Sequence, residues 1–244
     1  MWYRAAAKGA PPRAPAENDK KMTPDIQTIL GEVDHTVLAP TSPAAKFAEC
    51  CDFAAAHHCA SVCICPFYVK EAAARLRGTG VAVCTVIGFP HGTHATAAKV
   101  AESRIAIEDG ADELDMVVNV SKAKDGDWDY VRADIAAVLD AVHGAGKLLK
   151  VIFECCFLTD AEKIRLCEIC TELGVDFVKT STGYGTGGAT VADVALMKAH
   201  VGPGVRIKAA GGIHDLAQLL ALREAGATRF GCSRTAGILA GLPE

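Results

Sequence analysis

Three charged side chains stand inside apolar runs of this 244-residue chain. Asp115 lies in Glu113-Leu114-Asp115-Met116-Val117-Val118, Lys208 in Val205-Arg206-Ile207-Lys208-Ala209, and Lys179 where Phe177-Val178-Lys179 gives way to Thr180-Ser181-Thr182-Gly183. Removing an ammonium or a carboxylate from water is costly, so each group must be paired or neutralised. A lysine amine that has lost its proton is a nucleophile toward carbonyls. Desolvation and a second nearby cation both disfavour protonation, so the two lysines suggest a division of labour. Lys208 makes Lys179 nucleophilic; Asp115 holds Lys208 charged and takes part in proton transfer, directly or through water. A purely structural ion cluster is the alternative reading of the same residues.

A second group of residues suits an anion. Gly183, Gly211-Gly212 and Gly231-Cys232-Ser233 let backbone N–H groups approach a phosphate closely, and a short helix after Ser233 points its N-terminus the same way. Arg234 adds charge there or faces solvent. Asp34, His35 and Thr36 either line the same site or satisfy one another in the core. Glu154 is a proton donor or the partner of a lysine. Cys167-x-x-Cys170 has zinc-like spacing, and His91 and His94 share a Gly-rich loop, but neither pair has a second ligand pair nearby, and no metal is expected.

These residues need a scaffold that brings distant segments together. From Asp25 onward the pattern repeats strand, loop and helix. A short helix over residues 25–31 precedes strands at 33–38, 61–65, 81–87, 113–119, 148–153, 175–179, 205–209 and 228–231. Their β-branched centres recur about 30 residues apart, the spacing of parallel strands joined by crossover helices. Helices are expected over 44–57 and about 127–142, the latter with Val131, Ile135, Val138, Leu139 and Val142 at helical spacing. Another places Ala97, Val100, Ala101 and Ile105 on one face. Thr159-x-x-Glu162 is a capping box, and Asp215 caps a helix bearing Leu216, Leu219 and Leu220. Eight such units in one domain predict an α/β fold, a single (β/α)8 TIM barrel, whose site forms at the C-terminal ends of the strands. The first strand-to-helix turn, Ala39-Pro40-Thr41-Ser42-Pro43, lacks the glycine fingerprint of a doubly wound sheet.

Half the residues are hydrophobic, enough for a large core, and the net charge of −4 argues against a nucleic-acid or membrane-surface partner. No apolar run is long enough to span a bilayer. Eleven cysteines, an odd number and mostly within apolar segments, suit a reducing, cytoplasmic setting. Residues 1–21, rich in Ala, Pro and basic side chains, read as a disordered extension; residues 22–244 form the barrel domain.

With these motifs in order, and with Asp34-His35-Thr36, Val86-Ile87-Gly88-Phe89-Pro90-His91-Gly92, Asp112-Glu113-Leu114-Asp115 and Arg229-Phe230-Gly231-Cys232-Ser233 beside them, the chain resembles the deoxyribose-phosphate aldolase family from about Val33 to Leu239. The resemblance implies a barrel enzyme without metal or cofactor. It implies a small sugar-phosphate substrate, 2-deoxy-D-ribose 5-phosphate, cleaved reversibly to acetaldehyde and D-glyceraldehyde 3-phosphate, and a homodimer or homotetramer. It makes Lys179 the Schiff-base lysine, with Lys208 and Asp115 assisting proton transfer. Substrate contacts fall to Thr182, Gly183, Gly211, Gly212 and Ser233, with Cys63 lining the small-aldehyde end. Two departures stand out: Tyr184 replaces a lysine that some members use for phosphate, and the chain ends Ala240-Gly241-Leu242-Pro243-Glu244, without the terminal tyrosine of others.

Overall fold

The computed structural model describes residues 26–240. The extension read over residues 1–21 lies outside them, as does the end of the chain. After α1 (Ile26–Leu30) come β1 (Val33–Val37), α2 (Ala44–Ala56), β2 (Ser61–Ile64), α3 (Val69–Arg75), β3 (Ala82–Ile87), α4 (Thr96–Glu108) and β4 (Glu113–Val117). Then follow α5 (Val120–Lys124), α6 (Trp128–Gly144), β5 (Leu148–Ile152), α7 (Asp160–Leu173), β6 (Phe177–Lys179), α8 (Val191–His200), β7 (Arg206–Ala210), α9 (Leu216–Glu224), β8 (Arg229–Cys232) and α10 (Thr235–Ala240). The strands close into a barrel in sequence order, every pairing parallel, with β8 returning to β1 through Val33–Phe230 and Asp34–Gly231. This is the expected (β/α)8 architecture.

Alternation along each strand divides the core in two. Val62, Leu114, Val151, Val178, Ile207 and Phe230 belong to the large apolar cluster shared with the surrounding helices. The residues between them face the barrel axis. Strand registers stepped around a closed barrel sort these inward groups into tiers, as this architecture requires. Ser61, Glu113, Phe177 and Arg229 form the lowest tier; Asp34, Cys84, Lys150 and Lys208 the middle one; Cys63, Asp115, Lys179 and Gly231 the top one. Barrels of this kind usually fill their tiers with branched aliphatics; here most of the places are ionic or polar.

Local signals start the helices as read. Asp127 caps α6 by accepting from the Tyr130 N–H, Asp215 caps α9 through Gln218, and the Thr159–Glu162 capping box opens α7. The helical face read on α4 is corrected. Ala97, Ala101 and Ile105 are exposed, and the buried face carries Lys99, Ser103 and Ala106. The reason is electrostatic. Lys99 is fully buried, its ammonium 2.5 Å from Asp134 on α6 and 2.9 Å from the Val117 carbonyl at the end of β4. An apolar-periodicity reading rolls the helix by the wrong angle because its inner stripe is led by a lysine. Helices α3 and α8 fill places in the repeating pattern that the sequence reading left without bounds, and α5 is an additional short helix.

This pair yields a stability test. Lys99→Met strands the Asp134 carboxylate in the core, which costs about 3–5 kcal/mol. Lys99→Met combined with Asp134→Leu recovers most of that loss, because a well-packed apolar pair often matches a buried ion pair. Urea unfolding of the single and double variants measures both.

Candidate active site

Asp115 occupies the centre of the top tier with no exposed surface. Its Oδ2 accepts from the ammonium groups of Lys179 and Lys208, each at 2.7 Å. Its Oδ1 accepts from Lys150 at 2.8 Å and from the Cys84 thiol at 3.3 Å. Burial alone would raise the Asp115 carboxyl, but Lys150, Lys179 and Lys208 together hold it well below the usual carboxylate range. The three residues named from the sequence therefore meet at one oxygen. The meeting differs from the expectation in one respect: Asp115 engages Lys179 as directly as it engages Lys208.

A second carboxylate supports the first. Asp34 on β1 lies 2.5 Å from Lys208 and 2.7 Å from Arg229. Burial opposes the charge on Lys208, yet Asp115 and Asp34 outweigh it and keep that ammonium above the ordinary lysine value. Lys150, also fully buried, reaches Glu113 at 2.6 Å and Asp34 at 3.7 Å, and its charge is held by Asp115, Cys84, Glu113 and Asp34 against the same burial. Lys150, Glu113 and Arg229 were missed as members of the site. The signal for Lys150 was the one that exposed Asp115: a charge inside an apolar strand, here Leu148-Leu149-Lys150-Val151-Ile152.

Above this network opens a cavity of about 440 Å³, lined by Lys179, Thr182, Gly183, Gly211, Gly212 and Ser233 among others. Lys179 is the cluster's ammonium at its floor. Gly231 leaves room beside Lys208: a Cβ there would come within 2.9 Å of Ala210 Cβ and 3.4 Å of Lys208 Cε. Asp115, Lys208 and Cys63 do not line the cavity. Cys63, expected at the aldehyde end, shares the tier of Lys179 but packs against Cys84, Val86, Leu38 and Phe89 instead of lining the cavity. Its thiol is drawn below the ordinary value by the hydrogen bond with Cys84, against burial, with Lys208 and Lys179 adding to the pull.

The strand-one trio divides. Asp34 joins the ion network and Thr36 lines the cavity. His35 faces outward, its ring tilted 32° against that of Phe53 with Nδ1 2.8 Å from the Thr235 hydroxyl, and burial with nearby Lys46 and His57 pulls its imidazole down to about 4. Of the two roles read for Glu154, pairing with a lysine is not what the structure shows. Its carboxylate accepts from the Thr182 backbone N–H and hydroxyl, and the Thr182 hydroxyl in turn accepts from the Tyr184 N–H at 2.9 Å. Thr182 thus carries the loop after β6 rather than offering its own N–H to a ligand. Tyr184 spans the mouth: its hydroxyl donates to the Leu38 carbonyl at 2.8 Å, and its ring meets Phe89 edge-on. Lys46, His214 and Arg234 bring positive or titratable side chains to the same cavity.

Metal chemistry has two geometric candidates among the described residues. Donor atoms of Cys63, Cys84 and Asp115 lie within 4.8 Å of one another, but Asp115 is already the acceptor for three ammonium groups that would repel a cation. In the second, Asp34-Cys84-Glu113, both carboxylates are already paired with Lys150, Lys208 or Arg229. Cys167 and Cys170 are buried in the core on α7, and His91 and His94 are exposed.

A parallel barrel with a lysine at the floor of its C-terminal mouth, wired to a buried carboxylate, is the site of a lysine-dependent aldolase. Comparison with known proteins agrees: residues 28–243 match the DeoC/LacD family aldolase model, and the chain belongs to that family. It is 57% identical over 207 residues to a deoxyribose-phosphate aldolase from Rhodopirellula baltica, covering 85% of this chain and 86% of the relative. It is 46% identical over 215 residues to another from Aciduliprofundum boonei, covering 88% and 97%. A crystal structure from Aeropyrum pernix, described as a deoxyribose phosphate aldolase of unique tetrameric structure, superposes with a TM-score of 0.83 at 27% identity, over 88% of this chain and 91% of the other.

The loop after β6 supplies the next test. Thr182→Val removes a hydroxyl that both donates to Glu154 and accepts from Tyr184. Stability should fall by about 1–3 kcal/mol, since the Glu154 carboxylate loses a buried donor. KM should rise as Gly183 and Tyr184 lose their anchor, which steady-state kinetics and thermal melts together would register.

Proposed function

We propose that the chain is a class I aldolase that cleaves 2-deoxy-D-ribose 5-phosphate reversibly to acetaldehyde and D-glyceraldehyde 3-phosphate through a Schiff base on Lys179. The observation that carries this reading is the shared oxygen: one buried carboxylate oxygen with Lys179 and Lys208 each 2.7 Å away, only Lys179 of the pair lining the cavity. Family membership and the names of the relatives support the substrate.

The chemistry follows from that geometry. Lys179 Nζ, free of its proton, adds to the C1 carbonyl of the open-chain sugar, and loss of water leaves an iminium. An iminium and an ammonium carry the same charge, so Asp115 Oδ2 that holds one holds the other. Removal of the C3 hydroxyl proton breaks the C2–C3 bond; its electron pair moves into the iminium to give an enamine, and D-glyceraldehyde 3-phosphate leaves. Protonation of the enamine at C2 and hydrolysis release acetaldehyde and restore the amine. Asp115 is the carboxylate placed to shuttle these protons, directly or through water, while Lys208, held charged by two carboxylates, keeps Asp115 ionised.

The phosphate fits the far wall, where Gly183, Gly211, Gly212 and Ser233 line the cavity with Arg234 and Lys46 nearby. Tyr184 in place of the phosphate-site lysine leaves these two cations as the local positive charge. The chain is further proposed to work as a homodimer or homotetramer. Phe67, 76% exposed, and Ile105, 60% exposed, offer apolar surface for such contacts. A cytoplasmic setting suits eleven cysteines that are all free and no helix among the described residues long and apolar enough to cross a membrane.

Borohydride reduction in the presence of acetaldehyde, followed by peptide mass mapping, tests the central claim. The adduct is expected on Lys179, and Lys179→Ala should abolish both trapping and turnover. Lys208→Leu should weaken trapping at pH 7 by roughly tenfold or more, with partial recovery at higher pH, because Asp115 then serves Lys179 with less competition. Turnover should fall further than trapping. An adduct on Lys208 instead would reverse the two roles.

Ser233→Glu tests the phosphate wall. Like-charge repulsion should raise KM for the phosphorylated sugar by roughly tenfold or more and lower kcat, since remote binding energy also supports turnover. Unphosphorylated deoxyribose should be affected far less; equal losses on both substrates would remove phosphate from these loops.

A further inference from the structure

We infer that Lys150 and Glu113, set below the reactive amine and outside the cavity, are positioning residues whose opposite charges set the pH at which Lys179 reacts; this rests on the Schiff-base reading above. The argument is one of charge balance in a dry enclosure. The groups enclosed inside the barrel are Asp34 from β1, Cys63 from β2, Cys84 from β3, Glu113 and Asp115 from β4, Lys150 from β5, Lys179 from β6, Lys208 from β7 and Arg229 from β8. Arg206 of β7, over the Phe177 ring beside Glu113 and Arg229, is exposed, so water screens its charge and it stays outside the count. Three are carboxylates and four are basic. With every basic group protonated the interior holds one uncompensated positive charge, and a net charge out of water is the costly case.

The excess is relieved when one cation gives up its proton, and contacts decide which. Arg229 cannot deprotonate. Lys150 touches Glu113 at 2.6 Å and Asp115 at 2.8 Å, with Asp34 at 3.7 Å. Lys208 touches Asp34 at 2.5 Å and Asp115 at 2.7 Å. Lys179 touches Asp115 alone, on the oxygen it shares with Lys208. It is the cation with least holding its proton, and the one of the three lysines that lines the cavity. The lower network therefore does more than hold strands together: its imbalance of one charge falls on the amine that must become a nucleophile. Burial keeps Cys84 a thiol, its value pushed well up. Cys63, drawn down by its hydrogen bond to Cys84 against burial, is the other group that can restore neutrality, and the experiment has to remove it.

The test reads the pH at which borohydride trapping of acetaldehyde on Lys179 is half-maximal, in the full chain and again in a Cys63→Ser background. Glu113→Gln keeps shape and one acceptor oxygen for Arg229 while deleting one negative charge; the midpoint should fall by about one pH unit. Lys150→Met deletes one positive charge and should raise it by about the same amount. The double variant should return close to wild type. A role in folding alone moves neither midpoint: it lowers the amount trapped, or the melting temperature, at every pH. Unmoved midpoints, or shifts of one sign for both variants, overturn the inference. Should Lys150→Met not fold, Glu113→Gln decides by itself. If wild-type enzyme traps aldehyde elsewhere than on Lys179, the Schiff-base reading fails first, which mass mapping of that control distinguishes.

Discussion

The contact on which the rest of the molecule depends is the carboxylate of Asp115 accepting from three ammonium groups with no water-facing surface. Such an arrangement cannot be assembled locally. Lys150, Lys179 and Lys208 come from three successive strands, and only a closed parallel sheet brings their inward faces to one point. Isolated, any of these charges would destabilise a core by several kcal/mol; assembled, each is the counterion of another. The barrel and the site are therefore one construction. The alternation that turns Val151 and Ile207 to the helices is the same alternation that turns Lys150 and Lys208 to the axis.

Much of this was legible in the chain. Strand spacing gave the barrel because β-branched runs about 30 residues apart have few other ways to bury both faces. Asp115, Lys179 and Lys208 were visible because a charge in an apolar strand has no bland surface explanation. Lys150 carries the same mark and was passed over, since no loop motif followed it. Contacts set by packing were not legible: Cys63 stays out of the cavity although its register partner Thr36 reaches it, because Val86, Leu38 and Phe89 pack around its thiol. The face of α4 was misjudged for a related reason. Periodicity counts apolar residues, and the inner stripe there is anchored by the Lys99–Asp134 ion pair. Glu154 shows a third limit: its partner Thr182 is distant in sequence, and a carboxylate's choice between a lysine and a hydroxyl is settled only by loop geometry.

The mouth of the barrel follows a different logic from its interior. Below, positions are fixed by charge; above, by short polar ties among loops. Glu154, Thr182 and Tyr184 form one chain of hydrogen bonds, and Tyr184 carries it across to Leu38. That chain links the loop after β6 to the loop after β1, which border the same cavity.

The pairing of Asp34 with Arg229 joins the first strand of the barrel to its last. Protein synthesis runs in one direction, so Asp34 leaves the ribosome long before Arg229 does. Until β8 arrives, the interior charges lack a wall and stay hydrated. The ion network of the interior is therefore sealed last, by the same strand pairing that closes the barrel.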